Sequence, residues 1–290
     1  MPANVTPTEG PGPRILVHGG AGAALEPARA ARVALALQAI ARAGHDALQG
    51  GACALDVVVN AVRRLEDDPQ FNAGTGARLQ IDGEARLSAS VMDGQVRRFG
   101  GVVNVRGLRN PILLARALMD DEDRVLCGAG ALLRARELGL EEGEVRTPER
   151  LAEWRARVEG QTGTVGAVAL DGEGRLAAAT STGGRGFEAV GRVSDSPTVA
   201  ATYASDVAAV SMTGVGEHIV EGAMAARLVT LVEAGVGLEA ARDRLLRDMR
   251  RQGWQAGLIA VDTRGAWVAA HSTPGMSWWA CGPGGEQGPS

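Results

Sequence analysis

The sequence predicts an α+β fold in which layered sheets carry helices on their outer faces. Strand-like and helical stretches come in blocks rather than in strict alternation, which argues against a doubly wound parallel sheet. Two segments of the same form, VGAVALDGEGRLAAATST and LIAVDTRGAWVAAHST, are typical of hairpins with polar turns. The chain of 290 residues also has 41 glycines, many at the ends of apolar runs, as expected where short strands end in tight loops.

The first elements in chain order are predicted to be one strand and two helices. Residues 1–13 are rich in proline and glycine and are expected to be disordered. Arg14–Val17 is predicted as a buried strand that runs into the glycine-rich turn HGGAG (18–22). Apolar residues at helical spacing predict helices over Leu25–Ala43 and Ala52–Asp67.

The middle of the chain changes from strand to helix. LQIDGEARLSASV, between Leu79 and Val91, is predicted as two strands around Asp82-Gly83. From Pro111 to Gly160 the sequence is rich in Leu, Ala, Arg and Glu, which predicts helices, interrupted by an exposed charged loop at 138–150.

The second half predicts two hairpins with helices between them. The hairpins cover 165–182 and 258–273, and a further strand covers Val207–Met212. Helices are predicted at Glu217–Ala234 and Leu238–Gln252. We treat 1–290 as a single domain.

Charge and composition exclude several classes of function. The net charge is −4 and acidic and basic residues are interspersed, so neither a nucleic-acid partner nor a basic membrane anchor is expected. The chain has no lysine, which excludes a P-loop lysine, a pyridoxal Schiff base and a Ser–Lys dyad.

The expected compartment is the cytoplasm. Cys53, Cys127 and Cys281 are scattered and form no C-x-x-C pair, which indicates reduced thiols. The N-terminus lacks the pattern of a secretory signal, and no apolar run approaches membrane length.

Common catalytic motifs are missing from the sequence. The four histidines show no metal-ligand spacing, and no G-x-S-x-G elbow is present. The turn at 18–22 follows a predicted strand but lacks G-x-G-x-x-G spacing, so dinucleotide binding is not expected.

Threonine adjoins glycine at three strand ends, in Gly163-Thr164, Thr182-Gly183 and Thr213-Gly214. A threonine hydroxyl needs a base to become a nucleophile, and no histidine or lysine is suitably placed. Its own α-amine would serve, with a pKa of roughly 7.7–8.0, once the preceding peptide bond is cut. Gly163 fits such a cleavage because it permits strained backbone angles. Threonine beside glycine is, by itself, more often an ordinary turn.

Longer motifs resemble the plant-type asparaginase/isoaspartyl aminopeptidase family of N-terminal-threonine hydrolases. GTVGAVALDGEGRLAAATSTGG, GRVSDSP and SMTGVGE carry the resemblance in the second half, and ILVHGGAGA, LEDDPQFNAGTGA and NPILLAR carry it in the first. The resemblance covers residues 14 to about 276. It implies a four-layer αββα sandwich of the N-terminal-nucleophile type.

The resemblance also implies roles for individual residues. Thr164 would be the nucleophile, Gly163–Thr164 the autocleavage bond, and Thr182 a hydroxyl that orients Thr164. Cleavage would leave an α-subunit (1–163) and a β-subunit (164–290). Thr213 and Gly214 would form the oxyanion hole, where one lost donor costs about 100- to 1,000-fold in turnover.

A substrate with one charge of each sign needs one partner of each sign. Arg192 would bind its α-carboxylate and Asp195 its α-ammonium, although both residues also fit a weak surface ion pair. The other expected pocket residues are Val193, Ser194, Val215 and Gly216.

No cofactor is expected for the chemistry, but the resemblance implies a structural sodium ion. Backbone carbonyls would hold it, from Leu65, Glu66, Asp68, Phe71, Ala73 and Thr75. Asn72 would lie behind the nucleophile, or else form an Asx turn.

The expected activity is hydrolysis of L-asparagine or β-aspartyl dipeptides by a homodimer of cleaved αβ protomers. Ser194 stands where the family usually has glycine, and RGFEAV (185–190) differs from the usual loop, which leaves substrate choice open. The alternatives are a glycosylasparaginase and an uncleaved, non-catalytic binder of the same fold.

Overall fold

Two β-sheets and eight helices form the described part of the chain, residues 12–157 and 163–289, in a computed structural model. The strands are β1 (Arg14–Gly22), β2 (Leu87–Asp93), β3 (Arg98–Val105), β4 (Val125–Cys127), β5 (Val165–Leu170), β6 (Leu176–Thr182), β7 (Thr202–Ala204), β8 (Ala208–Gly214), β9 (Ala256–Asp262), β10 (Trp267–His271), β11 (Gly275–Gly282) and β12 (Gly285–Gln287). The helices are α1 (Pro27–Gln49), α2 (Ala54–Asp67), α3 (Pro111–Leu118), α4 (Gly128–Glu137), α5 (Pro148–Arg155), α6 (Gly216–Gly222), α7 (Met224–Glu233) and α8 (Leu238–Gln252).

The larger sheet has the strand order β12-β11-β1-β5-β6-β2-β3-β4 and the smaller one β10-β9-β8-β7. Every pairing is antiparallel except that of β3 with β4. Strands from before and after Gly163 are interleaved in the larger sheet, because β1 lies between β11 and β5. The two predicted halves of the chain therefore share one hydrogen-bonded sheet.

Three apolar clusters hold the layers together. One lies between the larger sheet and helices α1–α5, and a second lies between the smaller sheet and α6–α8. The third lies between the facing sheets and includes Leu16, Val168 and Ile259. Since both faces of the central strands are covered, every residue of β5, β6, β8 and β9 is buried. Their sequences are accordingly almost continuously small and apolar instead of alternating.

Most of the predicted elements are confirmed. The two hairpins form as β5–β6 and β9–β10, and α8 has the predicted bounds. The strand expected at Val207–Met212 runs instead from Ala208 to Gly214, so Thr213 and Gly214 belong to the strand. The prediction of disorder for 1–13 falls almost entirely outside the described residues.

The prediction of a glycine-rich turn at 18–22 is wrong, because these residues continue strand β1 to Gly22. A predicted helix and a predicted strand pair also differ from the structure. The helix expected over Glu217–Ala234 is broken at Ala223, which adopts a left-handed conformation with φ 44° between α6 and α7. The strand pair expected around Asp82-Gly83 is reduced to one bridge, Leu79–Ala85, with β2 starting at Leu87. Apolar spacing gave no sign of either change, since neither alters which residues are apolar.

Candidate active site

The hydroxyl of Thr164 lies at the start of β5, in a buried position between the sheets. It donates to the Thr182 hydroxyl over 3.3 Å, and Thr182 in turn donates to the carbonyl oxygen of Gly163 over 3.1 Å. The backbone N–H of Gly184 also donates to the Thr182 hydroxyl at 3.1 Å. Since β5 and β6 are paired along their length, the hairpin itself brings residues 164 and 182 together.

The carbonyl of Gly163 accepts a second hydrogen bond from the side chain of Asn72. The Asn72 Nδ2 to Gly163 oxygen distance is 2.8 Å, and the same amide also donates to the Gly184 carbonyl. The Asn72 Oδ1 accepts from the backbone N–H of Arg78 at 2.8 Å, which fixes the orientation of the amide. Two donors thus converge on the carbonyl that precedes Thr164, and they would stabilise negative charge on its oxygen.

Glycine allows β1 to approach this peptide closely. A Cβ on Gly20, whose φ is 121°, would lie 3.3 Å from the Gly163 Cα and 3.5 Å from the Thr164 nitrogen. The next residue, Ala21, donates its N–H to the Thr213 hydroxyl at 3.1 Å. Adjacent residues of β1 therefore contact both Thr164 and Thr213, which brings the predicted nucleophile and oxyanion donor into one region.

Thr213 and Gly214 end strand β8. Because the Thr213 oxygen accepts from Ala21, its proton is free to be donated to a ligand. Gly214 has φ 136°, and a Cβ there would lie 2.6 Å from the Gln255 oxygen. The N–H of Val215, by contrast, is donated to Gln255.

Arg192 is paired with Glu217 and not with Asp195. Its Nε and Nη2 donate to the two carboxylate oxygens of Glu217 at 2.8 and 2.9 Å. These bonds lower the pKa of Glu217 to about 2. The simple surface pairing of Arg192 with Asp195 is therefore wrong.

Asp195 is a buried carboxylate with unused hydrogen-bonding capacity. It is 1 % exposed; its Oδ1 accepts from the Ser194 hydroxyl at 2.7 Å, whereas its Oδ2 has no hydrogen-bond partner among the described residues. Burial raises the pKa of the Asp195 carboxyl, and the bond from Ser194 opposes this shift. An unsatisfied buried carboxylate is costly, which makes it a strong site for a cationic ligand.

Gly216 lies where these charged groups converge. A Cβ at this position would be 2.7 Å from Asp195 Oδ1, 2.8 Å from Arg192 Nη2 and 3.3 Å from Ser194 Oγ. Only glycine leaves that space for a ligand. Val193, in contrast, is 56 % exposed.

Sequence reasoning missed a chain of buried hydroxyls behind the site. The chain starts at His18, whose Nε2 lies 2.9 Å from the Ser211 hydroxyl, and it ends at the carbonyl of Ser196, next to Asp195; it passes through Ser211, Thr180, Thr202 and Ser90. Burial lowers the pKa of His18 to about 3, against an opposing hydrogen bond with the Thr164 backbone. The only sequence signal was polar residues inside otherwise apolar strands.

Glu217 was also missed as a site residue. It follows Gly216 directly in TGVGE and was interpreted only as the first turn of a helix. Its pairing with Arg192 depends on the fold, because the two residues are 25 positions apart.

The comparisons with known proteins match nearly the whole chain. The asparaginase family model matches residues 11–287. An isoaspartyl peptidase/L-asparaginase of Synechocystis sp. is 40% identical over 88% of this chain and 84% of its own length. The human protein of the same name is 39% identical, and a plant-type L-asparaginase of Pyrococcus abyssi is 37% identical; each alignment covers 94% of the relative and at least 91% of this chain.

The chain belongs to the asparaginase family.

The described residues of this asparaginase-family chain show neither a membrane span nor a metal-binding cluster. None of their helices is long and apolar enough to cross a bilayer, and no group of three His, Cys, Asp or Glu side chains is arranged for a metal ion. Cys53, Cys127 and Cys281 are all free thiols.

Proposed function

We propose that the chain is a four-layer αββα N-terminal-nucleophile hydrolase that cuts itself between Gly163 and Thr164. The observation that supports this is the run of hydrogen bonds from Thr164 through Thr182 to the Gly163 carbonyl. In this proposal Thr164 is the nucleophile, Thr182 is the proton relay, and Asn72 and Thr182 are the two donors to the Gly163 carbonyl.

The proposed cleavage starts with attack of the Thr164 oxygen on the carbonyl carbon of Gly163. The Thr164 proton passes to the Thr182 hydroxyl, which gives its own proton to the carbonyl oxygen of Gly163. The Asn72 amide stabilises the negative charge that develops on this oxygen. The C–N bond then breaks, the nitrogen of Thr164 takes up the proton, and an ester joins Gly163 to the Thr164 oxygen. Water hydrolyses this ester, which leaves a Gly163 carboxylate and a Thr164 with a free amine and a free hydroxyl.

The mature enzyme would hydrolyse the side-chain amide of L-asparagine or of a β-aspartyl dipeptide. The Thr164 amine takes the proton from its own hydroxyl, whose oxygen attacks the side-chain carbonyl of the substrate. Thr213 and Gly214 stabilise the oxyanion, and the protonated amine then gives its proton to the leaving nitrogen. Water releases aspartate from the resulting ester.

The charged groups would orient the substrate. Asp195, buried and incompletely hydrogen-bonded, would take the α-ammonium, and Arg192, held by Glu217, would take the α-carboxylate. The names of the relatives, isoaspartyl peptidase/L-asparaginase, support the same substrate class. We also propose a homodimer of cleaved αβ protomers.

We further propose that the loop after α2 binds a sodium ion through backbone oxygens. The carbonyl of Leu65 has no helical partner, because the residue four positions on is Pro69, which lacks an N–H. Among the described residues, no hydrogen bond uses the carbonyls of Leu65, Phe71, Ala73 or Thr75. Those of Glu66 and Asp68 each accept one N–H and keep a second lone pair. Such a set of oxygens suits a hard cation.

Replacement of the nucleophile tests the proposed function. Thr164→Ala is expected to leave the chain uncut and to lower asparagine hydrolysis by at least about 1,000-fold, because no other hydroxyl can form the ester. Intact mass of the wild type should show fragments 1–163 and 164–290, and ammonia release should report activity.

Two variants control this experiment. Thr164→Ser keeps a hydroxyl and should still cleave, and Thr230→Ala removes an exposed threonine from α7 and should behave as wild type. A full-length wild type without hydrolytic activity would point to a non-catalytic binder. Cleavage of Thr164→Ala at the same bond would refute the role of Thr164.

A further inference from the structure

A cavity of about 550 Å³ lies beside the Gly163–Thr164 peptide, and neither Arg192 nor Asp195 lines it. Its walls are the glycine-rich end of β1, the first half of α1, residues 70–72 and part of β11. Gly163, Asn72 and Gly20 line the cavity. Gly20 also lies against the Thr164 nitrogen, since a Cβ on Gly20 would be 3.5 Å from that atom. The proposed mechanism assigns no role to this space.

The cavity lies where the leaving group of the substrate has to be. The amine of Thr164 must donate a proton to the leaving nitrogen of the substrate, so that nitrogen has to lie next to it. In the uncut chain the Thr164 nitrogen is bonded to Gly163, which lines the cavity. After cleavage, whatever is attached to the leaving nitrogen can extend from the Thr164 amine into the same space.

The charged side chains of the cavity are mainly cationic. Arg29, Arg78 and Arg150 line it, against the single carboxylate of Glu26. Arg150 is already satisfied, because its Nε donates to the Gly76 oxygen at 2.7 Å and its Nη1 to Glu153 at 2.8 Å.

Arg78 is the cation without a hydrogen-bond acceptor. Its side chain is 6 % exposed, its nearest carboxylate oxygen is that of Glu153 at 3.7 Å, and its guanidinium makes no hydrogen bond within the described residues. Burial lowers the pKa of Arg78, and the neighbouring charge of Arg150 lowers it further. A buried guanidinium in this state is strongly stabilised by a carboxylate that it can bind bidentately.

We infer that this cavity binds the leaving amino acid of a β-aspartyl dipeptide and that Arg78 binds its C-terminal carboxylate. The inference rests on the proposed function and narrows it. It makes dipeptides with a free C-terminus a favoured substrate class, since L-asparagine releases only ammonia and leaves the cavity unused.

The test compares β-aspartyl-leucine with β-aspartyl-leucinamide, which lacks only the terminal carboxylate. In cleaved, purified enzyme, kcat/KM is measured for both substrates and expressed as the ratio of acid to amide, which cancels any difference in the active fraction. Arg78→Met is expected to lower this ratio by at least about tenfold, the usual scale for one charge-assisted hydrogen bond. Arg78→Lys should restore part of it. Arg32→Met, on the exposed face of α1, should leave the ratio at the wild-type value.

An unchanged acid-to-amide ratio in Arg78→Met would overturn the inference. This result would be expected, for example, if the cavity held the carboxylate that cleavage creates on Gly163. If the variants fail to mature, the wild-type ratio alone decides. It should be at least about tenfold, and a ratio near one would overturn the inference. Wild-type enzyme that hydrolyses neither dipeptide nor asparagine would instead refute the proposed function.

Discussion

At the scale of single residues, the most unusual group is the imidazole of His18, which is completely buried and held neutral by its surroundings. Its pKa of about 3 lies well below the ordinary value of 6.5. The His18 imidazole of the unfolded chain binds a proton near pH 6.5, whereas that of the folded chain does not. The contribution of neutral His18 to the free energy of unfolding is therefore fully present above pH 6.5 and is lost as the pH falls from 6.5 towards 3.

We expect His18→Gln to reduce the acid sensitivity of folding. At pH 4.5, two units below the unfolded pKa, the wild-type histidine costs about 3 kcal/mol relative to pH 7. Urea unfolding of uncut Thr164→Ala, with and without His18→Gln, measures the loss of stability between pH 7 and 4.5. Equal losses in the two proteins would contradict the assigned burial of a neutral imidazole. His45→Gln, at a half-buried histidine on α1, is the matched control.

The residues that a sequence can identify are those whose chemistry is local. Thr164, Thr182 and the glycines beside them were predicted because the motifs contain them, and Asn72 was predicted near the nucleophile on the same basis. Glu217 and the chain from His18 to Ser90 depend on contacts between distant strands, so no motif contained them. Arg78 is one arginine among 30 basic residues, and only its burial and missing acceptor distinguish it.

At the scale of elements, the loop between α2 and Gly76 has a backbone shape that only glycine permits. A Cβ on Gly74 would lie 2.4 Å from the Glu66 oxygen, and one on Gly76 would lie 2.5 Å from the Pro69 oxygen. Both glycines have positive φ. They allow the loop backbone to fold closely on itself, as the proposed sodium site requires.

Sodium is therefore expected to stabilise the fold more than an ionic-strength control does. A ligand that binds only the native state at 100 times its dissociation constant adds about 2.7 kcal/mol. The thermal midpoint of Thr164→Ala should be higher in sodium chloride than in choline chloride at equal concentration. Gly74→Ala should lose this difference, whereas Gly139→Ala, in open space on the surface, should keep it. Identical midpoints of Thr164→Ala in the two salts would refute the sodium site.

Helices and strands were predictable from the sequence where the signal lay within one segment, as the apolar face of a helix or the turn of a hairpin. The helix α8 and the hairpins β5–β6 and β9–β10 follow from spacing and turn residues within a single segment. The break at Ala223 was not predictable, because alanine favours helix and rarely adopts the left-handed conformation seen here. The short strands β4 and β7 were missed for a related reason, since three residues carry too little periodicity.

At the scale of the whole molecule, the two proposed subunits are interleaved. Strand β1 of the first pairs with β11 and β5 of the second, and β2 pairs with β6. Separating the subunits would break three full strand pairings and expose the apolar clusters on both sides of the larger sheet.

We expect the cut enzyme to stay in one piece. Fragments 1–163 and 164–290 should co-elute in native gel filtration, even at nanomolar concentration, and should separate only in denaturant. The uncut Thr164→Ala protein provides the reference elution volume. Dissociation of the fragments on dilution would contradict the interleaved order of strands in the larger sheet.

If the chain is cut as proposed, the position of the cut within the interleaved sheet would also make folding a single event in the life of the molecule. An intact chain closes its sheet as an intramolecular reaction, whereas two released fragments would first have to meet in solution, with each exposing unpaired strand edges that favour aggregation. The lifetime of the cut enzyme would then be set by its rate of unfolding and not by a folding equilibrium. Each cut molecule that unfolded would have to be replaced by new synthesis.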